Sequence, residues 1–206
     1  MIDTGFLITS FVTLFVIVDP IGLTPVFLAL TQGMSPARRR SVGLRACFTA
    51  AGLLALFAAF GEAVLGFVGI SMAAFRVAGG ALLFLTALDM LFERRTKRRE
   101  DQGNEDDIDD PSVFPMAMPL IAGPGSIATV ILLAGQRPDI EGFTMVIAVM
   151  LAVLAVVALM FLSSGLFEKL LGKTGINVIS RLLGMLLAAL SVQFVLDGLR
   201  DFGFAS

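Results

Sequence analysis

The sequence predicts an all-α membrane protein of six transmembrane helices, arranged as two inverted three-helix repeats whose first and fourth helices are broken. Three observations carry that expectation. Apolar residues make up 57% of the 206 positions and charged residues only 16%, with a mean hydropathy of +0.92, a composition of the membrane class. The apolar residues fall into six stretches of roughly 20 or more, the length a helix needs to cross ~30 Å of hydrocarbon. Finally, Pro20 in Val-Asp-Pro-Ile-Gly-Leu-Thr-Pro and Pro124 in Ala-Gly-Pro-Gly-Ser stand 104 positions apart, each in the middle of such a stretch.

The first span, at about 5–31, starts almost at Met1 without a basic leader segment, so it is expected to be retained. Pro20 interrupts it, because proline removes a backbone donor and glycine weakens a helix. Polar backbone freed at membrane depth is tolerated only against protein or a wet cavity. The second and third spans follow at about 43–68 and 72–92. A fourth at 113–134 is interrupted at Pro124, and the fifth and sixth are expected at 142–167 and 176–200. The division is therefore 1–92 for the first repeat, 93–112 for a charged linker and 113–206 for the second repeat.

A separate landmark agrees with the prolines. Gly69-Ile70-Ser71 followed by Arg76-Val77-Ala78-Gly79 recurs as Gly175-Ile176-Asn177 followed by Arg181-Leu182-Leu183-Gly184, and the two arginines are 105 positions apart. Each repeat has three spans, an odd number, so the second enters the membrane in the opposite sense. Paired, broken midplane helices in such halves are the strongest pointer a sequence gives to a transporter binding site.

If all six stretches cross, one membrane face collects Arg38, Arg39, Arg40, Arg45, Arg94, Arg95, Lys97, Arg98, Arg99, Lys169 and Lys173. The opposite face offers Arg137 and Arg200, with Arg76 and Arg181 a few residues inside their spans. The positive-inside rule then makes the rich face cytoplasmic and places both termini outside. The linker is basic at 94–99 and acidic from Glu100 to Asp110, a solvated tether.

Several classes are disfavoured. There is no histidine, and Cys47 is the only cysteine, which removes the usual zinc ligands, an intramolecular disulfide and the commonest general base. Ser126 has no histidine partner for nucleophilic work, and no Walker-type loop is present for ATP. We expect neither catalysis nor a metal, cofactor or nucleic-acid partner.

The candidate site is the pair of breaks. Asp19, Pro20, Gly22, Thr24 and Pro25 from the first, with Gly123, Pro124, Gly125, Ser126 and Thr129 from the second, offer small side chains, hydroxyls and exposed backbone. Helix N-termini there would favour a carboxylate, and carbonyls ending the preceding half-helices would favour an ammonium or cation. Asp19 has two compatible readings. A carboxylate at mid-depth must be paired, hydrated or protonated, which suits proton or cation coupling; it also stands where a cap for the half-helix beginning at Pro20 would stand. Arg76 and Arg181 can snorkel to the headgroups or form a gate with an acid or a helix C-terminus. Thr86 and Ser191, also 105 apart, read as helix-packing hydroxyls, and Glu62, Asp89 and Asp197 fall near span ends.

Asp-Pro-Ile-Gly-Leu-Thr-Pro-Val-Phe at 19–27, Met-Pro-Leu-Ile-Ala-Gly-Pro-Gly-Ser-Ile at 118–127, Arg-Leu-Leu-Gly at 181–184 and Val-Gln-Phe-Val-Leu-Asp-Gly at 192–198 together resemble the MarC family of bacterial inner-membrane proteins. The likeness covers nearly the whole chain, apart from the acidic tract at 100–110. It implies a multi-pass protein of the bacterial inner membrane. Through similar proteins and a relation to the LysE group of exporters, it also implies a carrier of small neutral amino acids such as glycine or alanine. The expected function is therefore secondary transport of a small polar solute, driven by a proton or cation gradient, with a non-transporting membrane sensor or scaffold as the alternative. Oligomeric state and direction of transport stay open at this level.

Overall fold

A computed structural model describes residues 3–92 and 110–204, with the side chains of 166–171 and 173 outside the description. The linker residues Arg94, Arg95, Lys97, Arg98 and Arg99 and the acidic tract up to Asp109 lie outside it, as do the side chains of Lys169 and Lys173. The described residues are helical, with no strand among them.

Helices α1 to α4 each begin where the sequence supplies a capping side chain. Helix α1 (Thr4–Val18) starts at Asp3, whose carboxylate accepts from the Phe6 N–H at 3.0 Å. Helix α2 (Pro20–Leu30) follows after the single residue Asp19. Ser35 caps α3 (Pro36–Val68), accepting from Arg38 N–H at 3.3 Å, and Pro36 occupies the first turn, where its missing donor costs nothing. Gly69, at φ +82°, closes α3 by letting its own N–H and that of Ile70 return to the Gly66 and Leu65 carbonyls. Ser71 then caps α4 (Met72–Leu91) through Ala74 N–H at 3.2 Å.

Segment α5 (Ser112–Ile121) is a wide-turned helix rather than a regular one. Phe114 and Met118 have extended backbone, cis peptide bonds precede Pro115 and Pro119, and the N–H groups of Met116 and Ala122 reach back five residues, to Pro111 and Ala117. Its axis makes an angle of 57° with that of α6 (Pro124–Gln136). Helix α7 (Ile140–Leu162) and the long α8 (Ser164–Asp201) complete the chain, and α8 is interrupted at Gly172, whose φ is +59°.

Five helices are long and apolar enough to cross a membrane, Thr4–Leu30 among them as one span, or six if the bent α5–α6 pair counts as one. The outside of the molecule is apolar too, with Phe48, Phe67 and Leu159 exposed, as expected of a surface that faces lipid chains and not water. Inside, Phe27 and Phe161 stack with ring centroids 4.2 Å apart, and Gly43 of α3 is packed against the Phe27 ring and the Phe161 Cβ.

Helices α4 and α8 run antiparallel along a seam of glycines. A Cβ on Gly80 would stand 2.8 Å from the Ser191 carbonyl, and one on Gly198 2.9 Å from that of Ala73. With no hydrophobic gain available between helices in lipid, small residues that let backbones approach are what hold such a pair.

Three expected boundaries change. The loop expected at 32–42 is already helical from Pro36; the fifth span ends at Leu162 instead of 167; and residues 168–175 are helical apart from Gly172. Hydropathy marks the part of a helix that sits in hydrocarbon, whereas the helix itself starts at its cap, several residues into the polar layer. Gly175-Ile176-Asn177 accordingly lies within α8, while its counterpart Gly69-Ile70-Ser71 forms a loop.

Candidate functional site: the two helix interruptions

At the first interruption Asp19 adopts a left-handed conformation, φ 56° and ψ 65°, the one positive φ outside glycine among the described residues. It is 2% exposed. Its Oδ1 accepts from the Gly22 N–H at 3.0 Å, so the carboxylate caps α2 and faces the positive end of that helix. Gly22 is required here, because a Cβ would lie 2.2 Å from Asp19 Oδ2.

The prolines free further backbone. Pro20 withholds the donor that the Val16 carbonyl would receive in a continuous helix, and Pro25 does the same to the Ile21 carbonyl. The Thr24 hydroxyl donates to the Pro20 carbonyl at 2.9 Å and is buried with it. Pro20 and Gly22 are buried and Pro25 is half-buried.

The second interruption is built differently at its cap. Gly123, extended at φ −80° and ψ 171°, precedes Pro124 and supplies no side chain, so α6 begins without a side-chain cap. A Cβ on Gly123 would meet the Pro119 carbonyl at 2.5 Å. Gly123, Ser126 and Thr129 are buried, Gly125 is half-buried and Pro124 is exposed. The Thr129 hydroxyl donates to the Gly125 carbonyl at 2.8 Å. Both residues of that bond lie 105 positions after Thr24 and Pro20, which form the same bond in α2.

The two sites meet through α1 and α6. A Cβ on Gly125 would fall 2.8 Å from Ile17 Cδ1, two residues before Asp19. Three clefts with room for a solute lie away from residues 19–25 and 123–129. One cleft of about 350 Å³ lies at the end that carries Asp3, lined by Ala58, Glu62, Arg137, Asp139 and Phe143 among others. A second, about 270 Å³, lies at the end that carries Asp110, between the starts of α3 and α8. A third, about 370 Å³, is apolar and open along α1 and α7.

The arginines differ from each other. Arg76 is mostly buried and ion-pairs with Asp201 near the end of α8, joining α4 and α8 at the Asp3 face. Arg181 is exposed on α8. Thr86 and Ser191 donate to carbonyls of their own helices, Leu82 and Ala188.

Sequence reading did not single out Asp201 as a partner, nor Arg137, which ion-pairs with Asp3 and lies 5.3 Å over the Phe6 ring. The only signal for Arg137 was its standing as one of the few cations on its face. At the other end Arg45 pairs with Asp110. The Ser112 hydroxyl beside Asp110, though outside good hydrogen-bond geometry, and the Ser112 N–H, donating at 3.1 Å, hold that carboxyl below its usual range.

Comparison with known proteins bears on the whole of this architecture. The description "MarC family integral membrane protein" matches residues 4–202. The chain is 36% identical to a membrane protein of Archaeoglobus fulgidus over 96% of its own length and 93% of the relative's. It is 36% identical to the membrane protein YvbG of Bacillus subtilis, over 95% of each chain. With the inner membrane protein YhgN of Escherichia coli K12 it shares 34% identity over 94% of its length and 96% of the relative's. No solved structure matches the chain. A match from the first turn of α1 to the end of α8, at this identity to full-length membrane proteins, places the chain in the MarC family of integral membrane proteins.

Proposed function

We propose that this protein is a secondary transporter of small neutral amino acids or similar small polar metabolites. Its site lies at mid-depth, where the interruption at Asp19 meets the one at Gly123–Pro124. The proposal includes two inverted repeats, α1 to α4 and α5 to α8, with the broken first and fourth spans facing each other. Both termini are periplasmic, in the inner membrane of a bacterium. Solute and proton or cation are the partners, and no cofactor is needed.

The observation that carries it is the difference between the caps of two helix starts. The α2 start is neutralised by the Asp19 carboxylate, whereas the α6 start has no side-chain cap and sits against α1 at Ile17. An uncapped helix N-terminus is an anion site, and here it fits the carboxylate of an amino acid. Carbonyls released by Pro20 and Pro25, with Asp19 beside them, suit the ammonium. The hydroxyl bonds of Thr24 and Thr129, repeated 105 residues apart, support the repeat reading. So does the placement of one cleft at each face, one at the start of α3 and the other at the start of α7.

A carrier and a non-transporting scaffold predict opposite results in a flux assay. Counterflow separates the two. Purified protein in liposomes preloaded with unlabelled glycine or alanine should accumulate the labelled solute, and Ser126→Leu, which fills the α6 start, should abolish accumulation. If a broad panel of small metabolites gave no counterflow with the native protein, the scaffold reading would stand instead.

A further inference from the structure

We propose that the cleft at the Asp110 end of the molecule binds a phosphate-bearing anion, specifically the headgroup of an anionic phospholipid. It is lined by Met34, Pro36, Arg39 and Arg40 from the α2–α3 turn, and by Phe161, Leu162, Ser164 and Gly165 from the α7–α8 turn. Two guanidinium groups and no acid are among those residues. At about 270 Å³ it is just below the roughly 300 Å³ at which small-molecule clefts begin, enough for a headgroup and too small for a whole lipid.

The rest of the lining says how the lipid would sit. Met34, Phe161 and Leu162 are apolar, and Leu162 is exposed at the helix end, where acyl chains would continue the contact. Arg39 donates from one terminal nitrogen to the Thr31 carbonyl at 3.3 Å, which fixes the side chain to the end of α2. Its Nε has no hydrogen-bond partner, so the guanidinium's donors are not used up within the protein. A planar fork of donors matches phosphate oxygens in pairs, which an ammonium does not. Basic hollows between transmembrane helices at the cytoplasmic side are where anionic headgroups are held.

The opposite cleft sharpens the inference. That comparison alone rests on the repeat reading above, whereas the lining of the site stands without it. Shifted by one repeat, the α3 start with Arg39 and Arg40 becomes the α7 start with Phe143 and Thr144. The end of α7 becomes the stretch of α3 near Ala58, about ten residues before that helix ends, with Ala58, Ala59 and Glu62 in the lining. The two hollows thus differ in charge, with two arginines and no acid at one face and Glu62 and Asp139 beside a single Arg137 at the other. Orientation alone requires positive charge near a face, and the exposed Arg38, outside the cleft, already serves that.

The test is lipid retention by the detergent-purified native chain, read by native mass spectrometry after adding phosphatidylglycerol or phosphatidylcholine. Phosphatidylglycerol should be retained at least tenfold more tightly. Arg39→Gln with Arg40→Gln should erase the preference, and Arg39→Lys with Arg40→Lys, which keeps charge and orientation, should weaken it severalfold. Arg38→Gln should leave it unchanged. Equal weakening by Arg38→Gln would reduce the effect to general surface charge and overturn the site. Absence of any preference in the native protein would overturn it too. Displacement of phosphatidylglycerol by millimolar sodium phosphate would overturn the lipid assignment in favour of a soluble anion. None of these readings depends on transport, so failure here and failure of counterflow are distinguishable.

Discussion

Asp19 combines two demands that rarely fall on one residue. Its backbone must turn left-handed between two helices, and its side chain must reach forward three residues to the Gly22 N–H. Asparagine meets both, since it tolerates the left-handed region and caps as well as aspartate. Asp19→Asn should therefore leave the thermal unfolding midpoint of the detergent-purified protein nearly unchanged. Asp19→Ala, losing the cap and the local side-chain hydrogen bonding that makes φ 56° tolerable, should cost roughly 1–3 kcal/mol. Transport discriminates further: if Asp19 couples the proton or cation, Asp19→Asn should abolish the dependence of uptake on that gradient while stability persists. Unchanged gradient dependence would leave Asp19 as a cap alone.

At the scale of elements, the α4–α8 seam and the lipid-facing side of α3 make opposite use of glycine. A methyl at Gly80 has no room, with Val195 Cγ2 at 2.7 Å and the Ser191 carbonyl at 2.8 Å, the latter being backbone that cannot swing away. Gly80→Ala should force the helices apart and destabilise by about 1–3 kcal/mol. Gly66 has nothing within 4 Å of a Cβ. There Gly66→Ala should be neutral or stabilising by up to about 1 kcal/mol, because alanine loses less conformational freedom in a helix. Unfolding of the two variants side by side checks the contrast. A loss at Gly66 as large as that at Gly80 would mean that propensity and space do not govern these helices.

For the whole molecule the testable quantity is orientation. Asp3 pairs with Arg137 and Arg76 with Asp201, so the described chain ends, the α6–α7 turn and the start of α4 share one face. Arg45 with Asp110 marks the other. Under the proposed topology, single cysteines at Asp3 and Phe204 in a Cys47→Ala background should react with a membrane-impermeant maleimide in intact cells. A cysteine at Gly33 should react only after permeabilisation. Labelling of Gly33 and not of the ends would invert the orientation.

How much of this was legible in one dimension follows from what each signal measures. Mean hydropathy and stretch length determined that the chain belongs in a membrane as a set of helices, because the bilayer admits few other solutions for backbone polar groups. Pro20 and Pro124 located two helix starts, at α2 and α6, since proline acts within one turn of its own position. Asp19 could be read as a cap for the same reason.

Tertiary structure alone decided that α8 runs as helix through Gly175, where the like-patterned Gly69-Ile70-Ser71 forms a loop. It alone gave Asp201 to Arg76 and Asp3 to Arg137, pairs separated by more than a hundred residues with no periodic pattern to join them. The two charged clefts were likewise invisible in sequence, because a hollow is formed by helix ends that meet only when the chain has folded back across the membrane.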